Sequence, residues 1–151
     1  MNPFDLSNKV ICVTGASSGI GRQCAVSCSR MGATVVLLAR NEQRLHETLS
    51  IMDNPDKHVI IPVDLTEYAT IELVVKNIVS QVGRISGVLH CAGISTTLPL
   101  KLVTPEKLDE FFQANVFSAY NLTREVCKMG NFSKEGGSIV FFSSVMGKVG
   151  E

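Results

Sequence analysis

Val13-Thr14-Gly15-Ala16-Ser17-Ser18-Gly19-Ile20-Gly21 is the stretch on which the reading of this chain turns. It follows a short β-type run, Lys9 to Val13, and precedes a helical pattern from about Gly19 to Met31. Glycines at 15, 19 and 21 let the backbone turn sharply between strand and helix and come close to a bound group. The first amides of the helix and its dipole then face outward, where an anion such as a pyrophosphate is favoured. The spacing is GxxxGxG, and the plainer alternative is a tight turn that holds no ligand.

Outward from this turn, β-rich runs alternate with longer helical patterns. Thr34 to Ala39 is a near-continuous apolar strand, followed by a polar helix with Leu45, Leu49 and Met52 on one side. Val59 to Val63 is the third strand. Ile71, Val74, Val75, Ile78, Val79 and Val82 then recur at helical spacing, with Thr66 and Glu67 opening the helix and Gly83 ending it. Gly87 to Cys91 predicts a fourth strand and Ser138 to Ser143 a fifth. Between them the longest helix starts near Pro105, carrying Leu108, Phe111, Phe112, Val116 and Leu122. Strands buried on both faces, each followed by a crossover helix, predict an α/β fold: a doubly wound parallel sheet with helices on both faces. In such a sheet the ligand crevice lies at the carboxyl ends of the strands, where the motifs fall.

The composition agrees with one packed domain. The chain has 151 residues, of which 45% are hydrophobic and 19% charged. Lys and Arg number 14 against 14 Asp and Glu, which removes the electrostatic argument for nucleic-acid or polybasic membrane binding. The apolar runs are far shorter than the ~20 residues of a membrane-spanning helix. The opening Met1-Asn2-Pro3-Phe4-Asp5 has no basic stretch followed by an apolar one, so no secretory signal is expected. Cysteines stand at 12, 24, 28, 91 and 127, an odd number without CxxC spacing. This argues against a disulfide framework and for a reducing cytoplasm. Cys24 and Cys28 lie one helical turn apart, but no further ligands accompany them; small buried thiols are expected and no metal. His90 and Cys91, as strand neighbours, point to opposite faces and cannot act as a pair. His46 and His58 lie among polar residues and are expected to be solvated.

Several of these segments together resemble the short-chain dehydrogenase/reductase family of NAD(P)-dependent oxidoreductases, whose nucleotide-binding fold is of the Rossmann type. Thr14-Gly15-Ala16-Ser17-Ser18-Gly19-Ile20-Gly21 is similar to the family's cofactor turn, with Gly15, Ser17, Ser18, Gly19, Ile20 and Gly21 as the binding residues. Val63-Asp64-Leu65 is similar to its adenine-contacting motif, which assigns Asp64 and Leu65 to the cofactor. Cys91-Ala92-Gly93 matches the end of the family's Asn-Asn-Ala-Gly, with His90 and Cys91 in place of the asparagines. Asn115 matches the helix Asn that orders a proton-relay water, and Ser144, second of the Ser143-Ser144 pair, the catalytic Ser that orients the substrate oxygen.

The second strand runs into Ala39-Arg40-Asn41 with no carboxylate at its end. An acidic residue there would hold a ribose 2′-hydroxyl, whereas Arg40 offers a fork to a 2′-phosphate. NADP(H) is therefore expected over NAD(H); the alternative is a solvated Arg40. The family's proton donor is a Tyr, followed four residues later by a Lys, and both are expected beyond Glu151. Only Tyr68 and Tyr120 are present, and neither opens a Tyr-x-x-x-Lys motif. Residues 1–151 are thus expected to form a nucleotide-binding domain truncated before that segment, without the last strands of the sheet.

Three readings follow. The first is an NADP-dependent enzyme acting on a small-molecule carbonyl or alcohol, with a 3-oxoacyl substrate favoured by resemblance. The second is a catalytically incomplete dinucleotide-binding module. The third is an interaction module. The resemblance also implies a homodimer or homotetramer through the helix carrying Phe111 and Phe112.

Overall fold

A computed structural model describes residues 4–149. Met1 to Pro3 and Gly150 to Glu151, on which the readings of the chain's two ends bear, lie outside the described residues. The strands are β1 (Val10–Thr14), β2 (Thr34–Ala39), β3 (Val59–Pro62), β4 (Gly87–His90) and β5 (Ser138–Phe141). The helices are α1 (Gly19–Arg30), α2 (Glu42–Ser50), α3 (Tyr68–Val82), α4 (Pro105–Phe112) and α5 (Ser118–Val126). The sheet has the order β3-β2-β1-β4-β5, and every pairing is parallel. Strand order reverses between β1 and β4, the place where such sheets bind ligands.

Alternation along β1 and β2 divides the core into two layers. Val10, Cys12, Val36 and Leu38 face Ile71, Val75 and Ile78 of α3 and Leu122 and Val126 of α5. Ile11, Val13, Val35 and Leu37 face Ala25 and Val26 of α1 and Leu45 of α2. Period-2 strands between amphipathic helices account for both layers. β5 is the outer strand, and Val140 and Phe141 are exposed.

The predicted elements form, with ends shifted by a residue or two. β1 starts at Val10, β5 stops before Ser143, and α3 begins at Tyr68, with Gly83 as its C-cap. The long helix from Pro105 is interrupted by a π turn at Gln113–Phe117 before continuing as α5. Among the described residues no helix is long and apolar enough to cross a membrane.

One expectation is overturned. His46 is exposed, but His58 is buried. Its Nδ1 accepts from the Val35 amide at 3.1 Å, so the proton sits on Nε2, which donates to the Asp53 carbonyl at 2.8 Å. Burial pushes its pKa down. The neighbours Pro55–Lys57 form an exposed 3₁₀ turn, leaving the imidazole to bond at the start of β2.

Candidate dinucleotide site

A cleft of about 740 Å³ opens at the carboxyl ends of β1 to β4. Its wall at β1 is the glycine turn. Gly15 has φ +64°, and a Cβ there would lie 2.9 Å from the Ala92 backbone. A Cβ on Gly21 would lie 2.2 Å from the Gly15 carbonyl oxygen, so the first turn of α1 can press against the loop only as glycine. The Thr14 hydroxyl accepts from the Ala92 amide at 2.9 Å and ties the end of β1 to the segment after β4. Asn41 and Thr104 cap α2 and α4 with their side chains, whereas Ser18 makes no such bond at α1. No acidic residue stands in the first turn of α1. The free amides and the positive end of the helix dipole therefore face an open cleft, a setting suited to an anion.

Every cofactor-binding candidate from the sequence lines this one cleft: Gly15, Ser17, Ser18, Gly19, Ile20, Gly21, Arg40, Asp64, Leu65, Cys91, Ala92 and Gly93. Arg40 is exposed at the end of β2 and, like Arg44 on the first turn of α2, has no ion pair among the described residues. Asp64 Oδ1 accepts from the Thr66 amide at 2.9 Å and the Thr66 hydroxyl at 2.7 Å. Those bonds, with nearby Arg40, hold its carboxyl below the usual carboxylate range.

His90 and Cys91 do face opposite sides. His90 stacks on Phe141 at 4.7 Å, and its Nε2 lies 2.9 Å from the Thr123 hydroxyl. Burial pushes its pKa down to about 4, so the ring is neutral at ordinary pH. Cys91 packs against the α1 layer beside Cys24. Burial and neighbouring thiols raise its pKa to about 12. Cys28 is buried and Cys24 half-buried, and among the described residues no three ligand-type side chains converge on a metal site.

The two catalytic candidates are not themselves among the residues lining the cleft. Asn115 sits in the π turn, an irregularity often found at functional positions. Its Oδ1 accepts from the Ile94 amide at 2.7 Å and its Nδ2 donates to the Ile94 carbonyl at 2.9 Å. Both polar ends of the side chain thus clamp the segment after Gly93, which forms the cleft wall. Ser144 is exposed beyond β5, and its hydroxyl accepts from the Met146 amide at 3.2 Å. The sequence reading missed Arg44, Thr66, Ile94, Ala114 and Ser118 in the lining. Arg44 carried a usable signal, since it lies four residues after Arg40 where a helix begins.

The model of a family described as short chain dehydrogenase matches residues 9–151. The chain belongs to the short-chain dehydrogenase family. The uncharacterized oxidoreductase YciK of Escherichia coli K12 is 33% identical, the match covering 96% of this chain and 59% of that one. The 3-dehydrosphinganine reductase of Danio rerio is 30% identical, with 98% of this chain and 46% of that one covered. A short-chain dehydrogenase of Shigella flexneri 2a, crystallised in complex with NADP, superposes with a TM-score of 0.86 at 33% identity. That match covers 96% of this chain and 62% of the other. Residues 1–151 therefore span only part of the length of these relatives.

Proposed function

We propose that this chain forms the cofactor-binding part of an NADP(H)-dependent oxidoreductase. Its reaction moves a hydride between the nicotinamide and a small-molecule carbonyl or alcohol. The observation that carries the cofactor choice is Arg40, with Arg44, neither in an ion pair among the described residues, on the cleft rim where β2 ends without a carboxylate. Two guanidinium groups attract a 2′-phosphate and offer planar forks to it. The dinucleotide supplies the hydride. The amides of the Gly15–Gly21 turn hold its pyrophosphate, Asp64 and Leu65 bound its adenine, and Cys91 to Gly93 line the path onward. Asn115 holds that path in place through Ile94, and Ser144 orients the substrate oxygen. Within this class a 3-oxoacyl substrate is the favoured one, on resemblance.

Fluorescence titration with NADPH and NADH tests the choice. NADPH is expected to bind more tightly, and Arg40→Ala to weaken NADPH more than NADH. NADH binding at least as tight, or equal weakening of both by Arg40→Ala, refutes it.

A second reading, dinucleotide binding without turnover, has its own support. Tyr68 donates its hydroxyl to Gln113 Oε1 at 3.2 Å and Tyr120 is exposed on α5; neither lines the cleft. Turnover on our reading needs a Tyr-x-x-x-Lys following Ser144. A reading frame that continues past codon 151 into that motif supports the enzyme; a stop codon there leaves binding or interaction. We further propose a cytoplasmic protein, supported by five free cysteines, and self-association through the helix that presents Phe111 and exposed Phe112.

A further inference from the structure

Behind the glycine turn, on the side away from the cleft, a hydrogen-bonded brace runs from α1 to α2. Thr48 of α2 is fully buried, although its side chain is polar. Its hydroxyl donates to the Ala16 carbonyl at 2.9 Å, with the Arg44 carbonyl 3.1 Å away as the alternative acceptor. Arg22 of α1 donates from Nε to that hydroxyl at 3.0 Å. Because the guanidinium occupies a lone pair, the single hydroxyl proton is left for a carbonyl. Arg22 Nη2 donates to the Ser17 carbonyl at 2.7 Å and to Glu47 Oε2 at 3.2 Å, so Glu47 neutralises this arginine.

Two consecutive carbonyls of the turn are thus held by the brace, that of Ala16 by Thr48 of α2 and that of Ser17 by Arg22 of α1. In a planar trans peptide the carbonyl and the following N–H point in opposite directions. Holding the Ala16 and Ser17 carbonyls back therefore turns the Ser17 and Ser18 amides forward. Both residues line the cleft, and no other described group takes up either amide. The same hydroxyl lies against the first turn of α2, where Arg44 faces the cleft.

We infer that Thr48 and Arg22 are positioning residues for phosphate recognition. They touch no cofactor atom themselves but fix the two turn amides that meet its anionic groups, and they link that turn to the arginine end of the site. The inference rests on the dinucleotide reading above. It also gives Arg22 a role distinct from that of Arg40 and Arg44: its charge is neutralised and directed into the protein.

The test compares NADPH affinity in the wild-type chain with Thr48→Val, Thr48→Ser, Arg22→Lys and Ser29→Ala, each well below its unfolding temperature. Ser29 is buried and bonded to the Val26 carbonyl and the Asp53 amide, away from the cleft, and serves as a control for plain destabilisation. Thr48→Val and Arg22→Lys are expected to weaken binding roughly tenfold, the scale of one well-made hydrogen bond. Thr48→Ser is expected to bind within about twofold of wild type, because it keeps the hydroxyl. Ser29→Ala is expected to lower the unfolding temperature with its affinity unchanged. A purely structural brace would make Thr48→Val behave like Ser29→Ala, and that result overturns the inference. Arg22→Lys binding as tightly as wild type overturns it as well, even if Thr48→Val fails to fold. A wild-type chain that binds neither NADPH nor NADH overturns instead the dinucleotide reading beneath it.

Discussion

Replacing Gly21 or Gly19 by Ala adds the same methyl group two residues apart and gives opposite tests of the turn. At Gly21 the new Cβ would lie 2.2 Å from the Gly15 carbonyl oxygen and 3.0 Å from that of Thr14. Both obstacles are backbone, so relief requires α1 and the loop to move apart by about 1 Å. Overpacking of this kind reaches about 3 kcal/mol. Ala gains back about 1 kcal/mol inside a helix, because it loses less backbone entropy than Gly. The net loss is about 2 kcal/mol, equivalent to a fall of roughly 4–8 °C in unfolding temperature for a chain of this size. At Gly19 a Cβ meets nothing within 4 Å, and only its φ of +51° opposes a side chain. That strain is about 1 kcal/mol. Thermal unfolding followed by circular dichroism, with NADPH titration on each variant, reads both effects. Gly21→Ala is expected to be the less stable and to lose NADPH binding by more than roughly tenfold, since the displaced loop no longer presents its amides together. Equal stability and equal affinity in the two variants would refute the close approach of α1 to the turn.

Two further outcomes are expected from the titratable groups. His90 has its pKa lowered to about 4 against an ordinary 6.5, so the unfolded chain binds more protons between those values. The stability contributed is fully present above pH 6.5 and falls as the pH drops toward 4, by about 2 kcal/mol between pH 7 and pH 5. His58, shifted the same way, adds to the slope. His90→Gln should flatten the dependence of unfolding temperature on pH in this window; an unchanged slope would exclude a buried neutral imidazole at position 90. Cys127 is exposed, Cys12 and Cys28 are buried, and Cys24 and Cys91 are half-buried. A thiol reagent should therefore label Cys127 first in the native chain and all five cysteines in denaturant, and rapid native labelling of Cys12 would contradict the packing of β1.

Much of this molecule is legible from short-range pattern. The near-continuous apolar runs at Val10–Thr14 and Thr34–Ala39 and the helical spacing from Ile71 to Val82 depend on neighbours within a turn or two. They survive in the sequence because a strand buried on both faces must be apolar throughout and a helix must present one apolar face, whatever each packs against. The glycine turn is legible for a similar reason: its backbone demands are local, and only glycine meets them. Arg40 could be placed because it follows a strand whose end the pattern already marks.

The remainder depended on partners far apart along the chain. His58 sits among polar neighbours, yet its ring is buried where it bonds to the Val35 amide at the start of β2. The clamp of Asn115 on Ile94 joins residues 21 apart, through a π turn that no periodicity announces. Arg22 and Thr48 look like an exposed helix arginine and an indifferent helix threonine until α1 and α2 lie side by side. Ser144, clear as a motif, lies three residues past the end of β5 at Phe141 and is not among the residues lining the cleft. The sequence alone determined the alternation of elements, the glycine turn and the charge at its rim, because these follow from local geometry and residue chemistry. Only the tertiary structure decided which polar side chains are buried, which carbonyls they hold and which candidates share one cleft, because hydrogen bonds between distant residues exist only after the sheet has ordered them.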